Sequence, residues 1–408
     1  MLSFRKVAIY FETTIRKGSL APVYWMTWIS VWLSTVILLF SFAITYGFKS
    51  EIIQKISGFA GHITISTFSS LSGKEQPPLS LLRLPLQNFR EHPSIKHVYP
   101  YILKGGVIKT DSALWGLMFK GVDENYDWSF FKKNLIRGRL PSYTKGKTSN
   151  EIVLSEVVCR KLRLEIDSPV RVYYWVPGDP SPRGRRFNLV GIYHTGFVDY
   201  DQFMGICDMR HLQKLNKWDS TLATGVEIIV KNFNDIDAVK SFILSSVPYD
   251  LKVEDVREKH PQFFDWLSAL NTNITILLIL MSVVVFVNVL ALLLVIVFKH
   301  IPMIGLLKAL GATPAFIRQI FSRVILRIVF PALGGANLFA AFVIVVQHAY
   351  HWLPLNEEMY YLSYVPMLFR IDYFLEVNLL ILIITMLCLV LPLQIIRRIS
   401  PSKALTYR

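Results

Sequence analysis

The residues of this chain best equipped for chemistry fall in three short runs. HTGFVDYD (194–201) brings His194, Asp199 and Asp201 together, a set that could ligate a metal or serve a membrane-bound hydrolase as a His–carboxylate pair. No H-E-x-x-H and no second histidine cluster accompanies it, so a solvated or structural turn is the simpler reading. KGKT (145–148) looks like the end of a phosphate-binding loop, and LSGKEQ (71–76) like part of a nucleotide-hydrolase signature. The first glycine of such a phosphate loop would stand at position 141, which is Pro141, so any ATP is expected to be hydrolysed by another chain. The three cysteines show no C-x-x-C spacing. Cys159 and Cys207 could pair in an oxidising compartment, whereas Cys388 lies in an apolar stretch and reads as packing.

With so little catalytic equipment, the elements that carry these residues matter more than the residues. Of 408 residues, 52% are hydrophobic and 18% charged, and the mean hydropathy of +0.40 belongs to an integral membrane protein. Four stretches can cross a hydrocarbon layer of roughly 30 Å: 24–46, 273–298, 324–346 and 373–393. Between the first two, residues 47–272 carry 54 charged side chains and cannot lie in lipid. This region mixes patterns: 62–67, 170–176 and 185–193 read as strands, 208–217 and 235–246 as helices, which predicts an α+β domain. The stretch 254–272 reads as a helix running straight into the second span, a rigid coupling of domain to membrane.

The net charge of +15 would suggest a nucleic-acid partner on a soluble protein. Here it follows the membrane. Residues 1–23, the connection 299–323 and the tail 394–408 are rich in Lys and Arg, while the loop 347–372 is acidic, so both termini are expected in the cytoplasm and 47–272 outside. Membrane topology thus accounts for most of the excess, and no nucleic acid is expected.

The segment KHIPMIGLLKALGATPAFIRQIF (299–321) predicts a short helix, a sharp turn and a second helix: Pro302 suits a first turn, Gly311 a C-terminal stop, and Thr313 with Pro314 an N-cap followed by N1. Lys308 is the one charge on the first helix, so that helix should lie along the interface or dock in a partner's groove. PGDPSPRG (177–184) has three prolines and two glycines; it should not pair as a strand and should project as a stiff tip, either an ordinary solvated turn or a docking loop with Arg183, Arg185 and Arg186 at its base. Trp25, Trp28 and Trp32 share one face of the first span, with Trp32 deep enough to pack on another helix or a ligand. Asn288 in the second span and the patch Gly334, Gly335, Ala336 and Asn337 in the third suit either helix packing or a cavity wall.

IGLLKALGATP (304–314) and SPSKALTYR (400–408) resemble the coupling segment and closing motif of the FtsX/MacB-type ABC permease superfamily, and MYYLSYVP (359–366), RRFNLVGIY (185–193) and HTGFVDYD resemble the lipoprotein-releasing (Lol) branch. The resemblance covers nearly the whole chain in order. It implies a four-helix membrane protein with a large periplasmic α+β domain between helices 1 and 2, set in the bacterial inner membrane. Implied partners are two copies of a cytoplasmic ATPase, which would bind ATP and Mg, a second permease that is an identical copy or a paralogue, lipoprotein substrates, and a periplasmic carrier. Matched onto this chain, Ile304, Gly305, Leu307, Lys308, Ala309, Gly311 and Ala312 would meet the ATPase, and Pro177, Gly178, Asp179, Pro180, Ser181, Pro182, Arg183 and Gly184 would dock the carrier. The lipid cavity, implied between the first and second spans of facing subunits, would involve Trp32, Leu39, Phe40, Val284 and Asn288. Moving three acyl chains of about fifteen methylenes through water would cost roughly 35 kcal/mol, so cargo would need apolar shelter throughout. The competing class is an FtsX-like mechanical transmitter that regulates a cell-wall hydrolase and transports nothing.

Overall fold

A computed structural model of the chain describes residues 21–68, 76–111, 113–176, 178–309 and 312–390. Among the described residues, four helices are long and apolar enough to cross a membrane. Two compact units emerge: residues 1–49, 266–354 and 364–408 form one, residues 50–265 and 355–363 the other.

In chain order, α1 (Ala21–Ala60) leads into β1 (Ile63–Thr67), β2 (Leu79–Ser80), α2 (Leu86–Glu91), β3 (Ile95–Lys109) and β4 (Leu114–Val122). Next come α3 (Ser129–Lys133), β5 (Leu135–Gly138), β6 (Glu151–Ser155), α4 (Glu156–Leu162), β7 (Pro169–Tyr174) and β8 (Arg183–Tyr193). They are followed by α5 (Val198–Asp201), β9 (Met204–Asp208), α6 (Met209–Asn216), β10 (Leu222–Ala223), β11 (Gly225–Val230), α7 (Ile236–Ser246) and β12 (Leu251–Asp255). The later elements are helices: α8 (Val256–Lys259), α9 (Pro261–Lys299), α10 (Ile301–Ala309), α11 (Pro314–Tyr350), α12 (Glu357–Tyr360) and α13 (Ile371–Cys388).

The helical unit is held by apolar stripes at helical spacing. On α9, Val285, Val289, Leu292, Leu293 and Ile296 are buried against Val31, Leu38, Leu39 and Phe42 of α1 and against Val377 and Ile381 of α13. In the other unit the main sheet runs β12-β1-β11-β3-β4-β9-β6-β8-β5, and β7 pairs with both β3 and β8. The pairings β3-β4-β9-β6-β8-β7-β3 therefore close a ring of strands. Alternation fills it: Leu117 and Phe119 of β4, Val170, Val172 and Tyr174 of β7, and Phe187 and Leu189 of β8 are buried in one core. Gly106 is required where the Tyr174 ring crosses β3, because a Cβ there would lie 2.8 Å from that ring.

The junction into α9 differs from the continuous helix expected over 254–272. Asp255 closes β12 and caps α8 through a capping box with Glu258, α8 lasts one turn, and the chain breaks at His260. Pro261 causes the break: it lacks an N–H and pushes the residue before it out of the helical region, and His260 has φ −131° and ψ 57°. A capped break at His260 stands where a continuous helix was expected.

Candidate functional site

Three places carry the residues singled out by sequence. At the first, His300 separates α9 from α10, and Thr313 caps α11 by accepting a hydrogen bond from Phe316 N at 3.3 Å, with Pro314 in the first turn. Gly311 lies outside the described residues, as does the tail 394–408. Ile304 is buried among Ile317, Ile320 and Phe321, so α10 is held by the helical core on one side. Gly305 is buried, Lys308 and Ala312 are half-buried, and Leu306 and Ala309 are exposed, while Leu307 sits mid-helix between them. The segment thus presents a mostly apolar outer face on a fixed base. The helix that Thr313 caps does not stop before the third span but is continuous with it in α11.

The second place is the β7–β8 hairpin. The ladder runs from Pro169↔Asn188 to Tyr174↔Arg183. Arg183 and Gly184, expected in an unpaired loop, are therefore the first residues of β8; both have a backbone N–H and follow Pro182, the last proline, so pairing resumes at once. The tip is 175–182, of which Pro177 lies outside the described residues. Gly178 takes φ +87°, Asp179 N donates to Val176 O at 3.1 Å, and the Asp179 carboxylate pairs with Arg183, closing the tip from within. Pro180, Ser181 and Pro182 are left at its outer end, and Ser181 and Pro182 are exposed. Trp175, 64% exposed, stands beside an apolar trough of about 640 Å³ walled by Pro182, Met118 and Phe203. Its floor includes Gly105 and Gly116, where an added Cβ would meet nothing within 4 Å. Trp175, Met118 and Phe203 were missed from sequence; Trp175 ends a strand-like alternation and gave the one local signal.

The third place lies in the helical unit. Trp32 stacks on Trp28 with centroids 6.5 Å apart and packs on Phe339 at 5.3 Å, and its indole is 3.5 Å from where Gly335 would carry a Cβ. Phe40 meets Phe339 at 6.2 Å. Asn288 donates to Ser30 Oγ at 2.8 Å and to Val284 O at 2.9 Å, so its NH2 group is satisfied within the protomer. Val284 is 37% exposed. Leu39 needs correction as a cavity residue: it is wholly buried in the interhelical core and faces no open wall.

The remaining chemical candidates dissolve into structure. Asp201 is buried and accepts hydrogen bonds from Thr195 N, Thr195 Oγ1 and Gly196 N at 2.8–3.0 Å, whereas Asp199 is exposed. His194 is bound by Glu357, Nε2 to Oε2, at 2.8 Å. Among the described residues no group of three His, Cys, Asp or Glu side chains is arranged to hold a metal ion. KGKT lies in a tight turn, Gly146 at φ +79°, that leads to a strand rather than a helix, and 71–75 lie outside the described residues. Cys159 and Cys207 are separate, buried thiols, and burial pushes Cys159 up to about 12 and Cys207 higher still.

The described residues singled out above thus lie on long apolar helices, on α10 and at an exposed hairpin. Residues 275–401 match the FtsX-like permease C-terminal family. Over 412 residues, 98% of this chain and 97% of the relative, the chain is 21% identical to the lipoprotein-releasing system transmembrane protein LolC of Xylella fastidiosa, in strain Temecula1 and equally in strain 9a5c. An FtsX-like C-terminal region is thus present. Among solved structures, this chain is similar to the extracellular domain of the noncanonic ABC-type transporter YknZ from Gram-positive bacteria, with TM-score 0.33, 11% identity, and coverage of 47% of this chain and 99% of that one. It is also similar to the periplasmic region of MacB from Actinobacillus actinomycetemcomitans, with TM-score 0.33, 12% identity, and coverage of 52% and 98%.

Proposed function

We propose that this permease is the non-catalytic membrane subunit of an ATP-driven transporter that lifts lipoproteins from the inner membrane and hands them to a periplasmic carrier. The observation that carries the reading is the match to LolC over nearly the full length of both chains, which includes the sheet-bearing unit and not the FtsX-like C-terminal region alone. In this reading both termini are cytoplasmic and the sheet-bearing unit, inserted between the first and second spans, is periplasmic. A separate ATPase, in two copies, binds ATP and Mg and closes on the outer face of α10 and its turn, 304–312. A second permease, identical or paralogous, completes the membrane part. Cargo chains are sheltered beside Trp32, Phe40, Val284 and Asn288. The carrier docks on the stiff tip of the β7–β8 hairpin, whose exposed Trp175 and adjoining apolar trough suit a partner with its own apolar rim.

The test is to purify the complex under conditions that retain lipids and search for a bound triacylated polypeptide by mass spectrometry, then add ATP and carrier. Release that needs both supports transport. The rival reading, an FtsX-like transmitter acting on a cell-wall hydrolase, rests on the match of residues 275–401 and predicts a bound ATPase with no lipidated cargo.

A further inference from the structure

Two segments with no sequence proximity, 194–201 and 355–363, meet inside the sheet-bearing unit, and their contact is more elaborate than packing requires. Residues 355–363 belong to that unit yet lie on the short connection between α11, which ends at Tyr350, and α13, which begins at Ile371. Leu355 N bonds to Ser363 O at 2.9 Å, closing the segment into a loop. Glu357 and Tyr361 do most of the holding. Glu357 pairs with His194 at 2.8 Å, and although burial alone would raise its carboxyl, hydrogen bonds from Ser363 and His194 and the nearby charge of Lys55 hold it below its ordinary value. Tyr361, at φ +58°, accepts a hydrogen bond on its carbonyl from Lys55 Nζ at 2.8 Å, and its ring lies 5.1 Å from Phe197 and 5.3 Å from Phe263.

Lys55, on α1, is only 9% exposed. It closes over Gly196, which has φ +69°; a Cβ there would lie 3.2 Å from Lys55 Nζ and 3.4 Å from Glu357 Cδ. The other charged groups facing His194 are Glu156 on α4, 3.6 Å from Nδ1, and Asp201, 3.9 Å from it. Burying Lys55 and Asp201, with Glu357 half-buried beside them, costs desolvation energy that an apolar contact of equal size would not, so such a cluster fixes one arrangement more than it adds stability.

We propose that Leu355–Ser363 is a clasp, and that Glu357, His194 and Lys55 are positioning residues for cargo release. They hold the connection between α11 and α13 against the unit that bears the hairpin, so that movement of those helices is passed on to it. The inference rests on the transport reading above. Its test uses the full permease–ATPase complex in nanodiscs with two readouts: hydrogen exchange of peptides covering 355–363, and carrier-dependent release per ATP hydrolysed. Glu357→Gln keeps the size and removes the charge, so exchange over 355–363 should rise about tenfold and release per ATP fall by a similar factor. Exchange in β7 and β8 should not change, and Glu357→Asp should restore part of both readouts. Tyr361→Leu, which leaves the ionic groups in place, should loosen the same peptides and serves if Glu357→Gln fails to assemble. Unchanged exchange over 355–363 in both variants overturns the clasp. Faster exchange with undiminished release per ATP overturns the positioning role. A wild-type complex that releases no lipidated cargo contradicts the transport reading instead, and the exchange comparison then still decides the clasp.

Discussion

The two units of this protein differ in the buried polar contacts they show among the described residues. In the sheet-bearing unit, Lys120 and Glu227 form a whole ion pair at 2.6 Å with side chains 2% and 5% exposed, and Lys120 also donates to Phe59 O at 2.5 Å. Phe59 sits in the last turn of α1, where carbonyls lack helical partners and a cation is welcome. Arg257 and Lys240 likewise surround the buried Asp255. In the helical unit, contacts among the described residues of the long apolar helices include amides and hydroxyls: Asn337 and Asn378 exchange two hydrogen bonds at 2.9 and 3.0 Å, and Asn288 meets Ser30. A charge inside a bilayer is costly whatever its partner, whereas a neutral amide pair recovers most of its loss. The sheet-bearing unit uses ion pairs where α1 ends, and the apolar helices use neutral amide pairs.

That contrast can be broken by unequal substitutions. Lys120→Met strands Glu227 without its cation and should destabilise the sheet-bearing unit by about 3–5 kcal/mol, read by denaturant-dependent proteolysis of the full chain, with Glu227→Leu added to Lys120→Met recovering part of the loss. A loss under about 1 kcal/mol would erase the difference between the units. Acid should act next, through Asp255. Burial pushes this carboxyl up, but hydrogen bonds from Arg257, the Glu258 backbone and Lys240 more than offset that and hold it at about 2 against an ordinary 3.8. A depressed carboxyl contributes stability in full above its unfolded pKa and loses it as pH falls through the folded one, so the loss belongs between about pH 4 and pH 2. Unfolding followed across that window should slope in the wild type and flatten in Asp255→Asn. The smallest effect is expected in the membrane: Asn337→Leu should cost about 0.6–2 kcal/mol, and nearly all of it should vanish in an Asn378→Leu background if the two amides serve only each other.

Local pattern made some of this fold legible and hid the rest. β7, β8, α6 and α7 follow from alternation and helical spacing, and Thr313 with Pro314 marked the start of α11 correctly because capping is a local event. The 15-residue strand β3 was not legible, since Gly105 and Gly106 interrupt its alternation and their reason, the Tyr174 ring crossing Gly106, lies on another strand. Closure of the ring depends on pairings between distant segments, two of them parallel, that no local signal records. For the candidate site, the proline-rich tip could be read from composition, but its wall of Trp175, Met118 and Phe203 comes from three separate strands and loops. His194 looked like a weak metal ligand because its true partner, Glu357, is 163 residues away.

The most direct test of the account removes the hairpin tip and leaves its ladder: residues 176–181 replaced by a short Gly-Ser turn, in a complex loaded with lipidated cargo. The account predicts that cargo stays bound and ATP hydrolysis persists while carrier-dependent release and carrier binding are lost. Normal release to the carrier without the tip would contradict it.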